Sequence, residues 1–234
     1  MKSMKGKLNG SVAMCKKAIA EIRKDYEGLV KKPIEVKLNA MQGYVDRLFQ
    51  DGDIGVNPPI PIVKIAEKMG FSVFEKRFDR RELSGIIAID SDLKDHKIYQ
   101  TDRVVCVNSE DSSSHRRFTI AHELAHYIFD FDEQNKITYY DAYITDEADS
   151  DKERVANRFA AELLMPKANF EKDFEKLFKN KIQPRSMNEV IAELMEKYAA
   201  PSTAVQRRIL ELDLLQEWPE LVAELEKTAA SKMQ

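Results

Sequence analysis

The chain has 234 residues, 43% of them hydrophobic and 33% charged, with a formal net charge of −3; that is enough apolar material for a proper core, and the slight acidity argues against a generally basic nucleic-acid binder. No apolar run approaches the roughly 18 residues that a membrane span requires, and the short stretch Ser11-Val12-Ala13-Met14-Cys15, followed by Lys16-Lys17, is too small for the core of a signal peptide. Cys15 and Cys106 are isolated and make neither a disulfide framework nor a zinc cluster, so a cytoplasmic protein with no membrane partner is expected.

Val12, Cys15, Ala18, Ile19, Ile22, Tyr26 and Leu29-Val30 recur at helical spacing and predict a first helix ended by Pro33. Residues 1 to 37 hold ten lysines and arginines against four acids. Such a face is ordinarily solvated, although it also suits an acidic partner or nucleic acid. A second helix is expected over Val36 to Phe49, with Leu38, Met41, Tyr44, Val45, Leu48 and Phe49 as its stripe. The run from Asp51-Gly52-Asp53 to Pro58-Pro59 is a turn-rich joint. It divides the expected architecture into an N-terminal helical extension (1–54), a core (55–168) and a C-terminal helical region packed on that core (169–234).

The helix that follows Pro61 should stop at Gly70, a glycine placed to end it. Strand signals lie at Phe71–Phe74, Gly85–Ile89 and Arg103–Val107, with a short fourth at Lys97–Tyr99, and predict a small antiparallel sheet. Cys106 falls in an apolar strand and reads as a buried thiol. Glu110-Asp111-Ser112-Ser113-Ser114 is a polar lead-in able to cap the next helix.

That helix contains His122-Glu123-Leu124-Ala125-His126, an HExxH motif. Positions i and i+4 lie about 40° apart on one helical face, so two imidazoles can point at one ion. Zinc accepts such nitrogens, and a catalytic site keeps a position open for water. Glu123 is turned about 100° from His122, where a carboxylate can serve as general base. Short patterns also arise by chance, in an ordinary helix with two unremarkable histidines. Here, though, the helix is apolar nearly all round and therefore expected to be buried, and its histidines and glutamate then need polar partners.

Hydrolytic sites want a third protein ligand. The candidates are His96 and His115 upstream and Asp130, Asp132, Glu133, Asp141, Asp146, Glu147, Asp149, Asp151, Glu153 and Glu162 downstream. The stretch from Ser150 reads as a helix stopped near Pro166, its inner face carrying Ala156, Phe159, Ala160, Leu163 and Leu164. Glu153 lies on that side, and Glu162 roughly 180° away, toward expected water. Ser150-Asp151-Lys152-Glu153 is equally a capping-box pattern, in which Glu153 would bond only the Ser150 backbone. Tyr139, Tyr140 and Tyr143 are candidates to stabilise an oxyanion, as are His115 and Arg116-Arg117.

Beyond Asn169 the chain reads as helical, with helices over Met187–Tyr198 and Pro201–Leu212 joined by Ala199-Ala200. A helix-turn-helix would use Ser202, Thr203, Gln206 and Arg207 to read DNA. Glu193, Glu196 and Glu211 would repel phosphates, which favours packing on the core.

Two segments, RRFTIAHELAHYIF (116–129) and ERVANRFAAELLMP (153–166), resemble the ImmA/IrrE family of metallo-endopeptidases, with its R-x-F-T-x-A-H-E-x-x-H and E-x-x-A-N-x-F-A-x-x-L-L-M-P helices. Glu153 follows His126 by 27 residues, in keeping with the family layout. The helix after Pro61 and the strand ending at Asn108 resemble the family more weakly, so the likeness spans roughly residues 55 to 212. It implies a minimal zincin-like α+β core with helical extensions, His122, His126 and Glu153 as metal ligands, and Glu123 as the base that activates the metal-bound water. It also implies zinc as cofactor, with manganese or iron suited to the same ligands, and a helix-turn-helix repressor as substrate. The competing readings are a binding module that regulates a repressor or toxin by contact alone, and a DNA-binding regulator.

Overall fold

The structure is a computed structural model; it describes residues 2–51, 54–79, 83–130, 151–178, 186–216, 221–223 and 225, with the side chains of residues 2–11 excepted. Among these residues, α1 (Lys2–Glu27), α2 (Ile34–Asp51) and α3 (Ile62–Lys68) precede strands β1 (Ser72–Lys76), β2 (Gly85–Ile89) and β3 (Arg103–Asn108). Then follow α4 (Ser113–Phe129), α5 (Asp151–Leu164), α6 (Lys167–Phe178), α7 (Met187–Tyr198) and α8 (Ser202–Glu211). The architecture is the expected α+β one, a small sheet against a helical bulk.

One part of the expectation is corrected. The sheet is mixed rather than antiparallel, with order β1-β3-β2. β2 and β3 are antiparallel, Ile87 facing Val105, while β1 runs parallel to β3, Val73 facing Val105. The chain reverses between β2 and β3 through a 3₁₀ turn at Ser91–Lys94, and β3 inserts between the two earlier strands. Lys97–Tyr99 is not a strand: Ile98 is 68% exposed, and Tyr99 folds back edge-on to Phe74, with ring centres 5.1 Å apart.

Alternation along β3 makes two surfaces. Val105 and Val107 face the main core with Ile87. Val104 and Cys106 face the other side with Ala88, under Phe74, Leu93 and Tyr99. The Cys106 thiol is buried, as the sequence led one to expect, and burial pushes its pKa up. Gly70 has φ of 92°, the conformation that only glycine adopts cheaply, and it turns the chain from α3 into β1.

α4 begins at Ser112, whose Oγ accepts from the His115 backbone N–H at 3.2 Å and satisfies one otherwise orphaned donor. It lies on the inner face of the sheet and packs against α5, which in turn packs against α2. α5 stops at Leu164, two residues before Pro166. One continuous core draws residues from α1 and α2, the sheet, α4 and α5, and the C-terminal helices.

α7 and α8 pack on that core. Arg117 of α4 donates to the Ala199 carbonyl in the turn between them, and Gln206, a residue a DNA-reading helix would present, is 5% exposed. Glu162 is also corrected: it is 3% exposed. It does point away from Glu153, but α8 covers that side. Arg208, fully buried, pairs with Glu162 and donates from Nε to the Met165 carbonyl at 3.2 Å. Arg158 pairs with Glu211 at 2.9 Å in the same seam.

Candidate metal centre

The two helices that carry the motifs meet at their facing ends. His122 and His126 lie one turn apart on α4, and Glu153 lies in the first turn of α5. Their ligand atoms converge: Nε2 of His122 is 2.9 Å from Nε2 of His126, and the Glu153 carboxylate is 3.2 Å from the first and 3.3 Å from the second. Among the described residues, His122, His126 and Glu153 are the group of three whose ligand atoms all lie within 4.8 Å of one another.

The donor set can be tested against a metal. A tetrahedral ion with bonds of about 2.0–2.1 Å separates its ligand atoms by about 3.3–3.4 Å, close to the spacings found. Two imidazole nitrogens 2.9 Å apart cannot both be bare acceptors, so a proton or a cation must lie between them. The surrounding charge agrees, since the carboxylates of Glu123, Asp130 and Glu153 crowd two imidazoles in a largely buried site. Burial opposes a charge on His126, but hydrogen bonds to Asp130 and Glu153 and the charges of Glu123 and Glu153 outweigh it and push its pKa up to about 10. Burial likewise opposes a charge on Glu153, yet its bonds to His122 and His126 hold its carboxyl well below the usual range. The residues therefore fit a divalent cation.

Each histidine is fixed from behind. His122 Nδ1 donates to Asn157 Oδ1 at 3.1 Å, and His126 Nδ1 donates to Asp130 Oδ2 at 2.8 Å. Both bonds select the tautomer that leaves Nε2 free toward Glu153. Sequence reasoning missed these two roles. In the sequence Asp130 stands only as a candidate third ligand, and its i+4 spacing from His126 is the available signal. Asn157 stands four residues after Glu153, one turn on along α5, and belongs to the quoted A-N pair. We predict that Asn157→Ala lowers metal affinity on the order of 10–100-fold while the fold persists; competition with a chromophoric chelator measures it, and unchanged affinity would deny Asn157 this role.

Glu123 is fully buried on α4, beneath β2. The close approach of that strand depends on Gly85. A Cβ there would lie 2.3 Å from Thr119 Cγ2 and 3.3 Å from Glu123 Oε1. Gly85→Ala should therefore push β2 off α4 or displace the carboxylate. The expected outcome is a loss of about 1–3 kcal/mol in thermal unfolding together with reduced turnover, and a variant with wild-type values would contradict the packing argument.

The other candidates lie elsewhere. Asp151 pairs with Lys37 at 2.8 Å and Glu162 with Arg208. His96 stacks near Tyr99, with ring centres 4.8 Å apart. His115 bonds Ser84 at 3.2 Å, seven residues before His122 and so roughly 10 Å along the helix. Arg116 turns to Glu75, and Arg117 to the Ile60 and Ala199 carbonyls. Asp132 to Asp149, with Tyr139, Tyr140 and Tyr143, lie outside the described residues, as does Ser150 of the alternative capping box.

The family described as Peptidase_M78, IrrE N-terminal-like domain, matches residues 66–210. No curated protein matches the chain. Among solved structures, the chain is similar to a Mycobacterium tuberculosis transcriptional regulator at 17% identity and a TM-score of 0.46; the match covers 82% of this chain and 51% of that one. The chain thus spans about half the length of that structure.

Proposed function

This chain belongs to the Peptidase_M78 family of IrrE N-terminal-like domains, and we propose that it works as a metal-dependent endopeptidase. The observation that carries the reading is the convergence of His122, His126 and Glu153 beside a fully buried Glu123. A site built only to hold an ion has no use for that fourth group.

His122, His126 and Glu153 would hold the ion, with Asn157 and Asp130 keeping both rings in register. Zinc is the first expectation from two imidazoles and a carboxylate, and manganese or iron suits the same set. When bound, such an ion supplies a Lewis acid for a peptide carbonyl and makes water a nucleophile near neutral pH. Glu123 accepts the proton of the attacking water and returns it to the amine that leaves, so one carboxylate serves both halves of the hydrolysis. Burial beneath β2 keeps bulk water from that carboxylate. β2 pairs with β3 alone among the described residues and its first residue, Gly85, lies against Glu123, so its second edge has backbone groups suited to an extended peptide near the site.

The proposed substrate is a regulatory protein such as a helix-turn-helix repressor, as the ImmA/IrrE resemblance implies. Packing of α7 and α8 on the core, with Gln206 buried, speaks for a protein substrate over DNA. No helix among the described residues is long and apolar enough to cross a membrane. The test is incubation of the zinc-loaded protein with the helix-turn-helix repressors of its own genome. Scission of one repressor at one bond, stopped by a chelator and restored by zinc, is the expected result. Tight binding of a repressor by the metal-loaded protein without any scission would point instead to regulation by contact.

A further inference from the structure

The family match begins at residue 66, so α1 and α2 lie outside it. These helices nevertheless reach both helices that carry the ligand atoms, and they do so at the two ends that matter. His126 sits in the last turn of α4, and Glu153 in the first turn of α5. Terminal turns lack part of their intrahelical hydrogen bonding and fray first. Ligand atoms, however, must be held within about 0.5 Å of their working positions. Something outside the two helices has to secure those ends.

α1 secures the end of α4. Arg23 donates from Nε to the Ile128 carbonyl at 3.1 Å and from a second guanidinium nitrogen to the Tyr127 carbonyl. These are among the last carbonyls of the helix, which have no partner within it, and a cation there also complements the helix dipole. The same guanidinium lies over the Tyr127 ring, 4.5 Å from its centre. α2 secures the start of α5. Lys37, 8% exposed, bonds Asp151 at 2.8 Å, two residues before Glu153. Phe129, at the end of α4, is then gripped by Tyr26 of α1, Tyr44 of α2 and Phe159 of α5, at centroid distances of 4.7, 5.9 and 5.2 Å.

We propose that the N-terminal helix pair is the clamp that sets the geometry of the metal site, with Arg23 and Lys37 as positioning residues acting through the ends of α4 and α5. The inference rests on the metal-site reading given above. It gives residues 1–51 a function that neither composition nor the HExxH motif points to. It also makes the pair a handle: whatever pulls α1 and α2 away loosens His126 and Glu153 together.

The test measures zinc affinity by chelator competition in the full chain, for the wild type, Arg23→Gln, Lys37→Met, the conservative Lys37→Arg, and Arg47→Gln as control. Arg47 joins α1 to α2 through Asp25 at 2.6 Å and touches neither ligand helix by that pair. Cobalt-substituted samples add the d–d absorption, which reports coordination geometry and is not moved by a contact that merely adds stability. Cooperative thermal unfolding of each metal-free variant certifies that it is folded. Arg23→Gln and Lys37→Met should each weaken zinc binding on the order of tenfold and alter the cobalt spectrum, while Lys37→Arg and Arg47→Gln keep wild-type values. Unchanged affinity and spectrum in the folded variants would overturn the clamp, as would an equal loss in Arg47→Gln. Should Arg23→Gln fail to fold, Lys37→Met decides alone, because the unbranched methionine side chain fills most of the space of the lysine stem without its charge. A wild type that binds no zinc overturns the metal reading and the clamp with it; a wild type that binds zinc beside indifferent variants overturns the clamp only.

Discussion

Glu123→Gln is expected to abolish the proposed peptide hydrolysis while leaving metal binding unchanged. The substitution keeps the size of a side chain that is fully buried beneath β2. It removes only the ability to take and return a proton, a step worth about 10²–10⁴ in rate. Glu123 is not among the three groups whose ligand atoms converge, so metal content should stay at the wild-type value. Turnover of a cleaved repressor and metal content, measured on the same preparation, check both halves. Activity within a few-fold of wild type would put the base elsewhere. Loss of metal along with activity would make Glu123 a ligand or a structural counter-charge to His126, whose charged form it favours.

The second large effect is on stability and lies away from the centre. Arg208 is fully buried against Glu162, itself 3% exposed. Removing one partner of a buried pair leaves the other uncompensated, at a cost of about 3–5 kcal/mol. That is a large part of the roughly 5–15 kcal/mol that holds a domain folded. Arg208→Met should therefore unfold at much lower temperature or denaturant. The pH dependence has a definite sign. Burial already pushes the Glu162 carboxyl above its usual range, and loss of the guanidinium pushes it further. The folded variant then keeps a proton that the unfolded chain has released, so its stability falls as pH rises between the two values and recovers in mild acid. Arg208→Met combined with Glu162→Leu should regain part of the loss, since Glu162 no longer stands buried without its partner and Glu211 keeps Arg158. Denaturant melts at two pH values read all of this. An Arg208→Met protein as stable as wild type would show that the pair contributes nothing.

What could be read in advance divides by range. Signals local to a few residues were legible: a capping lead-in at Glu110–Ser114, within which Ser112 is the cap, the stop near Pro166, the glycine ending at Gly70, the start and end of β2, and the i, i+4 pair of His122 and His126. Glu153 was half legible. Its helical face was right, but the capping-box alternative could be weighed only with the family resemblance, because spacing alone permits both. Features that depend on which distant segment covers a surface were not legible. Glu162 points away from Glu153 as helical geometry requires, yet the covering segment is α8, 40 or more residues on, and a helical wheel carries no such information. The parallel pairing of β1 and β3 is of the same kind, since each strand's own alternation is compatible with either direction. Asn157 behind His122, and Arg23 and Lys37 at the helix ends, are likewise side chains whose meaning lies in a partner brought by the fold, whereas Asp130, one turn after His126, carries its signal in local spacing.

Metal stoichiometry of the purified protein, by mass spectrometry and beside Glu153→Ala, decides whether His122, His126 and Glu153 hold an ion. Both proteins are prepared first without added metal and then after exposure to zinc or manganese. About one equivalent is expected in the wild type and a sharp fall in the variant, because Glu153 supplies the only carboxylate of the triad. A wild type that takes up no metal under either condition, or a variant that holds it equally well, would contradict this assignment.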